Sequence, residues 1–301
     1  MDNDTQPATA AADPAGDGTV TQSHHHAHLG RAALTKVPQI IVLFWVSKIL
    51  ITAMGEATSD YMNQALGPAI AVPLMLIGLY LALRLQFRQD RYNAWTYWLV
   101  VVMVAIFGTS AADALHVGLG IPYVISTLFY AIVLTGVFIA WYRSEGTLSI
   151  HSIHSRRREK FYWATVLATF ALGTAAGDLT ATEWHMGFLP AGLMFCALIA
   201  VPAVAWWRFG LNSIVAFWFA YIINRPLGAS FADWFDNTHQ LTGLNLGAGP
   251  VALALAVVVA GFVAYLAITR VDVQTEDAGP SRGTNAVAPA GAGLPASEIA
   301  G

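Results

Sequence analysis

The stretch Gly55-Glu56-Ala57-Thr58-Ser59-Asp60 lies inside an apolar segment, and its outline recurs three more times along the chain. The other copies are Gly108-Thr109-Ser110-Ala111-Ala112-Asp113, Gly173-Thr174-Ala175-Ala176-Gly177-Asp178 and Gly228-Ala229-Ser230-Phe231-Ala232-Asp233. Each copy has a glycine five residues before an aspartate. The residues three positions and one position before the aspartate are also small. This fixed spacing predicts one structural unit used four times, with a carboxylate at the same place in each unit.

The composition predicts an all-α membrane protein. Of the 301 residues, 56% are hydrophobic and only 11% are charged, whereas about a quarter of the residues in a soluble domain are charged. Apolar runs of a length that crosses a bilayer as a helix occur eight times. They are roughly 37–62, 66–86, 94–116, 121–142, 160–182, 186–207, 211–235 and 247–269. The expected fold is therefore a polytopic bundle of eight transmembrane helices in a lipid bilayer.

The charge distribution predicts the orientation of these spans. The connections around 63–66, 117–121, 183–188 and 236–247 contain no lysine or arginine, whereas the alternate connections are basic. By the positive-inside rule both termini are then cytoplasmic. The transmembrane domain, 36–270, divides into four parallel helical-hairpin repeats at about 36–88, 92–143, 158–208 and 209–270. Parallel repeats favour a ring around an axis along the membrane normal.

The two ends of the chain are predicted to be disordered tails. Residues 1–35 contain no apolar run, and residues 271–301 are rich in glycine, alanine, proline and serine, so neither segment has enough apolar surface to fold. The N-terminal tail carries the tract His24-His25-His26-Ala27-His28, whose composition is that of a metal-binding segment or of a solvated tail.

The repeated acids are the candidate site. Residues four apart share one face of a helix, so the pattern predicts two tiers. The first holds Asp60, Asp113, Asp178 and Asp233, and the second, one turn earlier, holds Glu56, Thr109, Thr174 and Ala229. Carboxylates are costly in hydrocarbon and usually face a bundle interior or water. We therefore expect the odd-numbered helices to line a polar centre and the apolar even-numbered helices to face lipid.

The charge balance of this centre favours a cation. Two bases, Lys48 and Arg225, are expected to share it with five carboxylates, Glu56 and the four aspartates. The surplus of acid favours a metal ion or protons as the missing partner. The alternative is a structural network in which the acids only pair with Lys48 and Arg225. His116 and His185 lie near the same end of their spans and are weaker candidate ligands.

The first span resembles a known family. Residues Lys36-Val37-Pro38, Phe44-Trp45-Val46-Ser47-Lys48 and Gly55 to Tyr61 are similar to the opening of a bacterial membrane-protein family made of tandem repeats of a domain of unknown function, number 347. The resemblance covers about 36–270. It implies a multi-pass protein of the bacterial inner (plasma) membrane, and no activity comes with it.

These patterns predict a membrane transporter for a cation, with divalent-metal export favoured. Oxygen ligands suit Mn²⁺ or Mg²⁺, and histidines would favour Zn²⁺, Co²⁺ or Ni²⁺. Glu56 is the only carboxylate of its tier and is expected to be essential. The alternatives are a proton-coupled carrier of a small organic solute and a non-transporting structural or sensory membrane protein. The sequence has no catalytic constellation, so we expect no enzyme, no cofactor and no nucleic-acid partner. It does not fix the oligomeric state.

Overall fold

A computed structural model describes residues 35–273, and eight long helices account for most of this part of the chain. They are α1 (Val42–Leu66), α2 (Pro68–Phe87), α3 (Ala94–Asp113), α4 (Tyr123–Glu145), α5 (Arg156–Asp178), α6 (Phe188–Phe209), α7 (Ser213–Asp236) and α8 (Ala248–Thr269). All eight are long and apolar enough to cross a membrane. The predicted all-α fold with eight spans is confirmed. The histidine tract and most of both predicted tails lie outside the described residues.

Local sequence explains where the helices begin. Side chains cap the first turns of α3, α5 and α7 by accepting a hydrogen bond from a backbone N–H group; they are Asn93, Ser155 and Asn212. Such caps satisfy donors that the first turn leaves free. At its C-terminal end, α1 is joined to α2 by Gly67 alone. The φ of Gly67 is 74°, a conformation that favours glycine. The connection is therefore one residue long.

The odd-numbered helices form a closed inner ring. Each of α1, α3, α5 and α7 packs against two others of the set, in the order α1, α3, α5, α7 and back to α1. The even-numbered helices lie outside this ring and keep most of their surface exposed. This is the arrangement expected from the polarity of the odd spans.

The outer helices are placed by a rule that the sequence did not predict. Each packs chiefly against the inner helix of the following repeat: α2 on α3, α4 on α5 and α6 on α7. The last one, α8, packs on α1 and so completes the circle. The helices of one hairpin, such as α1 and α2, contact each other less.

The repeated glycines are the points where the inner helices touch. A β-carbon added at any of them would lie less than 3.0 Å from a side chain of the next inner helix. The pairs are Gly55 with Ala105, Gly108 with Phe170, Gly173 with Arg225, and Gly228 with Thr52. In every pair the partner lies eight residues before its own aspartate. The small residues thus allow the close helix approach that their spacing predicts.

The two ends of the ring differ. We call the end that carries the repeated aspartates the aspartate end. At the other end each inner helix bears an aromatic pair, 16 and 15 residues before its aspartate. The pairs are Phe44-Trp45, Tyr97-Trp98, Tyr162-Trp163 and Phe217-Trp218, which pack together in one apolar cluster that we call the aromatic collar.

The segment before α1 lies across the outer side of the collar. The N–H of Tyr92 donates to Thr35 O (3.2 Å), and the N–H of Gln39 donates to Asp272 O (2.7 Å). Lys36 forms a buried ion pair with Glu159, with 2.9 Å between Nζ and Oε2. The collar end is therefore covered by the segment that precedes α1 and by the segment that follows α8.

Candidate cation site in the inner ring

The inner helices stack their residues in layers along the axis of the ring. Successive layers are four residues apart, which is about 6 Å of helix rise. The aspartate layer is Asp60, Asp113, Asp178 and Asp233; the glutamate layer is Glu56, Thr109, Thr174 and Ala229; the arginine layer is Thr52, Ala105, Phe170 and Arg225; the lysine layer is Lys48, Val101, Val166 and Tyr221. Each layer takes one residue from every inner helix.

Three carboxylates converge at the junction of α1 and α7. One oxygen each of Glu56, Asp60 and Asp233 lies within 4.8 Å of the other two. Ca²⁺ binds oxygen at about 2.3–2.6 Å and Mg²⁺ at about 2.0–2.1 Å, so this spacing is close to what one ion between the three groups requires. Glu56 and Asp233 are buried, whereas Asp60 is half-buried. We call these three residues the carboxylate triad.

The other two repeated aspartates lie outside the triad. Asp113 and Asp178 are half-buried and close enough for their charges to act on Glu56. Among residues 35–273, the side chains of the four repeated aspartates form no ion pair within 4.0 Å. The aspartate layer is thus a ring of uncompensated acid that is partly open at its own end.

Glu56 is held by Arg225 from the layer below. Arg225 Nη2 lies within hydrogen-bond distance of three acceptors for its two N–H groups: Glu56 Oε2, Thr109 Oγ1 and Thr174 Oγ1, the last at 2.6 Å. Thr109 Oγ1 also donates to Glu56 Oε2 at 2.9 Å. The three polar residues of the glutamate layer therefore meet at one guanidinium nitrogen. The Nε and Nη1 atoms of Arg225 are buried without a hydrogen-bond partner among the described residues.

Lys48 contacts no acid in the described part of the chain. Its Nζ donates to Tyr221 Oη at 2.8 Å and lies 4.5 Å from the centre of the Phe170 ring and 4.0 Å from that of Tyr221. Aromatic faces stabilise a nearby ammonium group electrostatically. Of the two expected charge partners, only Arg225 pairs with a carboxylate of residues 35–273.

The histidines are not brought to the triad. His116 Nδ1 pairs with the backbone oxygen of Ile121 at 2.7 Å, and its ring stacks on Tyr123. His185 is exposed, and its Nδ1 pairs with the backbone oxygen of Glu183 at 2.7 Å. Both side chains have local structural contacts, and neither belongs to the group whose ligand atoms converge.

Several site features were missed by reading only the six-residue signature. Asp236, one turn after Asp233, is buried and acts electrostatically on Asp60 and Asp233. The lysine layer and the aromatic pairs repeat at fixed distances from the aspartates, so aligning the whole inner helices would have found them. The π-helical turns Ala114–Gly118 and Leu179–Glu183, which directly follow Asp113 and Asp178, have no such signal.

A family profile matches most of this architecture. The profile described as Repeat of Unknown Function (DUF347) matches residues 43–92, 96–147, 161–211 and 216–272. Each match contains one inner helix and the outer helix that follows it. No curated protein and no solved structure matches the chain. A function must therefore be inferred from the site itself.

Proposed function

Since the chain belongs to the family of tandem DUF347 repeats, which is described without a function, we propose from its site that it is a membrane transporter for a cation. The favoured substrate is a divalent metal ion with a preference for oxygen ligands, such as Mn²⁺ or Mg²⁺. The observation that carries this proposal is the convergence of Glu56, Asp60 and Asp233 within 4.8 Å at the base of a partly exposed ring of acid.

The charge of the site supports a cationic substrate. Five carboxylates occupy the aspartate and glutamate layers, and Arg225 is the one base in ion-pair contact with them among residues 35–273. Acids placed in a membrane interior without partners mark ion pathways. A divalent cation supplies the charge that this cluster lacks.

In this proposal Arg225 competes with a bound cation for Glu56. In the structure its guanidinium binds Glu56 Oε2, on the same carboxylate that a cation in the triad would contact. A metal ion that enters from the aspartate end displaces Arg225 from Glu56 and binds Glu56, Asp60 and Asp233 together. When the ion leaves, Arg225 returns and neutralises Glu56. The exchange keeps Glu56 paired both with and without substrate, which lowers the cost of burying its charge.

The basic residues support an orientation in the bacterial inner membrane with both termini in the cytoplasm. Arg88, Arg143 and Arg208 lie at the collar end, whereas the connections at the aspartate end contain no lysine or arginine. The aspartate layer then faces the outside. Single cysteines at Gln89 and Leu119, in a Cys196→Ser background, test this orientation. A membrane-impermeant thiol reagent applied to intact cells is expected to label position 119 and not position 89; the opposite pattern contradicts it.

The transport proposal is tested with purified protein in liposomes that contain a metal-sensitive dye. Mn²⁺, Mg²⁺, Zn²⁺, Co²⁺ and Ni²⁺ are added outside in separate experiments. Asp60→Asn is expected to abolish metal entry because it removes one arm of the triad. Asp113→Asn is the matched control, since it makes the same change at the equivalent position of another repeat and leaves the triad intact. We expect this control to keep most of the activity.

Equal losses in Asp60→Asn and Asp113→Asn would contradict a site centred on the triad. Wild-type protein that moves none of the five metals would contradict metal transport altogether. In that case the non-transporting alternative is favoured, in which the Glu56–Arg225 pair only stabilises the bundle.

One observation favours a second candidate, a proton-coupled carrier of a small organic acid. Among residues 35–273, Lys48 contacts no carboxylate and two nitrogen atoms of Arg225 are buried without a partner, so both bases have capacity for an anionic group. Binding separates the two candidates. Mn²⁺ that quenches tryptophan fluorescence in the wild type and not in Asp60→Asn supports the metal site, whereas quenching only by organic anions supports the carrier.

A further inference from the structure

Buried polar groups continue from the candidate site toward the collar end. Lys48 Nζ donates to Tyr221 Oη at 2.8 Å, and Tyr221 lies close enough to Tyr162 for the two hydroxyl groups to act on each other electrostatically. The hydroxyl oxygens of Tyr162 and Tyr97 are 2.5 Å apart. All four side chains are buried, and each comes from a different inner helix. We call these four residues the tyrosine chain.

The tyrosine chain ends near the surface of the collar end. The ring of Tyr97 contacts that of Tyr92, with 5.6 Å between their centres, and Tyr92 Oη donates to Asp272 Oδ2. Tyr92 and Asp272 line a cavity of about 400 Å³ at this end. Burial raises the pKa of the Asp272 carboxyl above its usual value, which suits a group that takes up and releases protons.

A polar face of α1 joins the tyrosine chain to the carboxylate triad. Lys48, Thr52 and Glu56 follow one another at four-residue spacing and so lie on one face. Thr52 Oγ1 donates to Asn224 Oδ1 at 3.4 Å. Asn224 Nδ2 is buried without a partner among the described residues. Unpaired buried donors of this kind are places where water binds.

The architecture of the ring does not require these polar groups. In the lysine layer, α3 and α5 carry Val101 and Val166. In the collar, the positions equivalent to Tyr97 and Tyr162 are Phe44 and Phe217, so phenylalanine fits there. The hydroxyl and amine groups thus break the fourfold pattern in the manner of Glu56. Packing alone does not account for a connected row of them.

We propose that Lys48, Tyr221, Tyr162 and Tyr97 conduct protons between the centre of the ring and its collar end, and that this couples cation movement to protons. The inference rests on the proposed cation transport. Arg225 on α7 is the charged group that acts electrostatically on Lys48, and Tyr221 is its hydrogen-bonded titratable neighbour toward the collar.

Proton transfer along this row balances at every step. The Lys48 amine takes a proton from a hydronium ion on the polar face of α1, which becomes water, and passes one to Tyr221 Oη. Tyr221 releases its own proton to Tyr162, and Tyr162 releases one to Tyr97. Tyr97 passes one to its neighbour Tyr92, whose own proton goes to the Asp272 carboxylate beside the cavity. One O–H or N–H bond breaks for each that forms, no electrons are transferred, and rotation of the hydroxyl groups resets the row.

The test uses full-length protein in liposomes with Mn²⁺ outside and a pH-sensitive dye inside. Tyr162→Phe is the informative variant because Phe217 occupies an equivalent position in another repeat. Tyr265→Phe is the matched control, since Tyr265 lies on α8 and is half exposed (50%). In the wild type and the control, Mn²⁺ entry is expected to drive protons out, which is the same series of transfers run in reverse, from the collar end to the centre. In Tyr162→Phe the proton movement is expected to fall to that of protein-free vesicles.

A second measurement separates proton coupling from damage to the site. Exchange of radioactive for unlabelled Mn²⁺ at equal concentrations on both sides needs no net proton movement, so Tyr162→Phe is expected to retain it. Proton movement at the wild-type level in this variant, or loss of exchange together with coupling, overturns the inference. Mn²⁺ entry without proton movement in the wild type overturns the inference and leaves cation transport standing. No metal entry in the wild type removes both.

Discussion

The buried pair of Glu56 and Arg225 makes a quantitative prediction about stability. Both side chains are almost fully buried, and removing one partner of a buried ion pair costs about 3–5 kcal/mol because it strands the other charge. Glu56→Gln strands a guanidinium that still lies near Asp60 and Asp233, so we expect the lower value. Arg225→Met strands a carboxylate among other carboxylates, so we expect the higher value.

The double variant distinguishes a charge effect from a packing effect. Glu56→Gln with Arg225→Met leaves no stranded charge in the glutamate layer, so it is expected to be more stable than Arg225→Met alone. Replacement of a whole buried pair by neutral groups is often close to neutral in stability. The double variant is nevertheless expected to transport no metal, because the triad has lost Glu56.

Thermal unfolding of the purified variants in detergent measures these differences. A loss of about 3 kcal/mol corresponds to roughly 6–12 °C in Tm for a domain of this size class. Arg157→Gln is the control, because its ion pair with Glu145 is on the surface (69% exposed at Arg157) and is worth at most about 1 kcal/mol. Additive effects of the two single substitutions, or a change in Arg225→Met as small as in Arg157→Gln, would refute the reasoning.

Two further predictions follow from the packing and from the collar end. Gly55→Ala is expected to lower Tm because the added β-carbon would overlap Ala105. At Gly136 an added β-carbon meets nothing within 4 Å, so Gly136→Ala is expected to be neutral or to stabilise α4 by up to about 1 kcal/mol. Equal shifts in Tm would contradict the role of the glycine contact. Burial raises the pKa of Asp272, so its contribution to stability is full below the unfolded pKa and declines as pH rises toward the folded pKa. Asp272→Asn removes that decline, and the slope of Tm against pH above pH 4 is expected to become shallower; an unchanged slope would contradict it.

The sequence predicted those features that depend on spacing along one helix. The glycine and the aspartate keep a fixed distance in all four copies, so the close contacts of the inner helices and the shared layer of acids followed from helical geometry. The meeting of Glu56, Thr109 and Thr174 follows in the same way, because they occupy one layer. That each acts in transport remains a prediction.

Features that depend on side-chain length or on local changes of helix type were not predictable. The backbone of Arg225 belongs to the arginine layer, but its long side chain places the guanidinium group in the glutamate layer. The ion pair of Arg225 with Glu56 could therefore not be predicted from backbone spacing. The triad includes Asp60 and Asp233, whose helices continue as α-helix past the aspartate. α3 and α5 instead change to π-helical turns at Asp113 and Asp178.

The packing partners of the outer helices could not be predicted from the sequence for a different reason. The even-numbered spans are apolar on most sides, so no hydrophobic stripe shows which inner helix they cover. Their sequences predict lipid exposure but do not distinguish the inner helix before them from the one after.

The packing of α8 on α1 has a consequence for how the protein is made. The outer helices α2, α4 and α6 each cover the inner helix that is synthesised directly after them. The outer side of α1, in contrast, is covered only when the last span, α8, has been synthesised. During insertion that surface must be covered by lipid or by the insertion machinery until synthesis is complete. The same cyclic order means that one chain of four repeats, two chains of two repeats or four single hairpins would close the same circle. A doubled hairpin that paired with its own copy is therefore a sufficient ancestor for this protein.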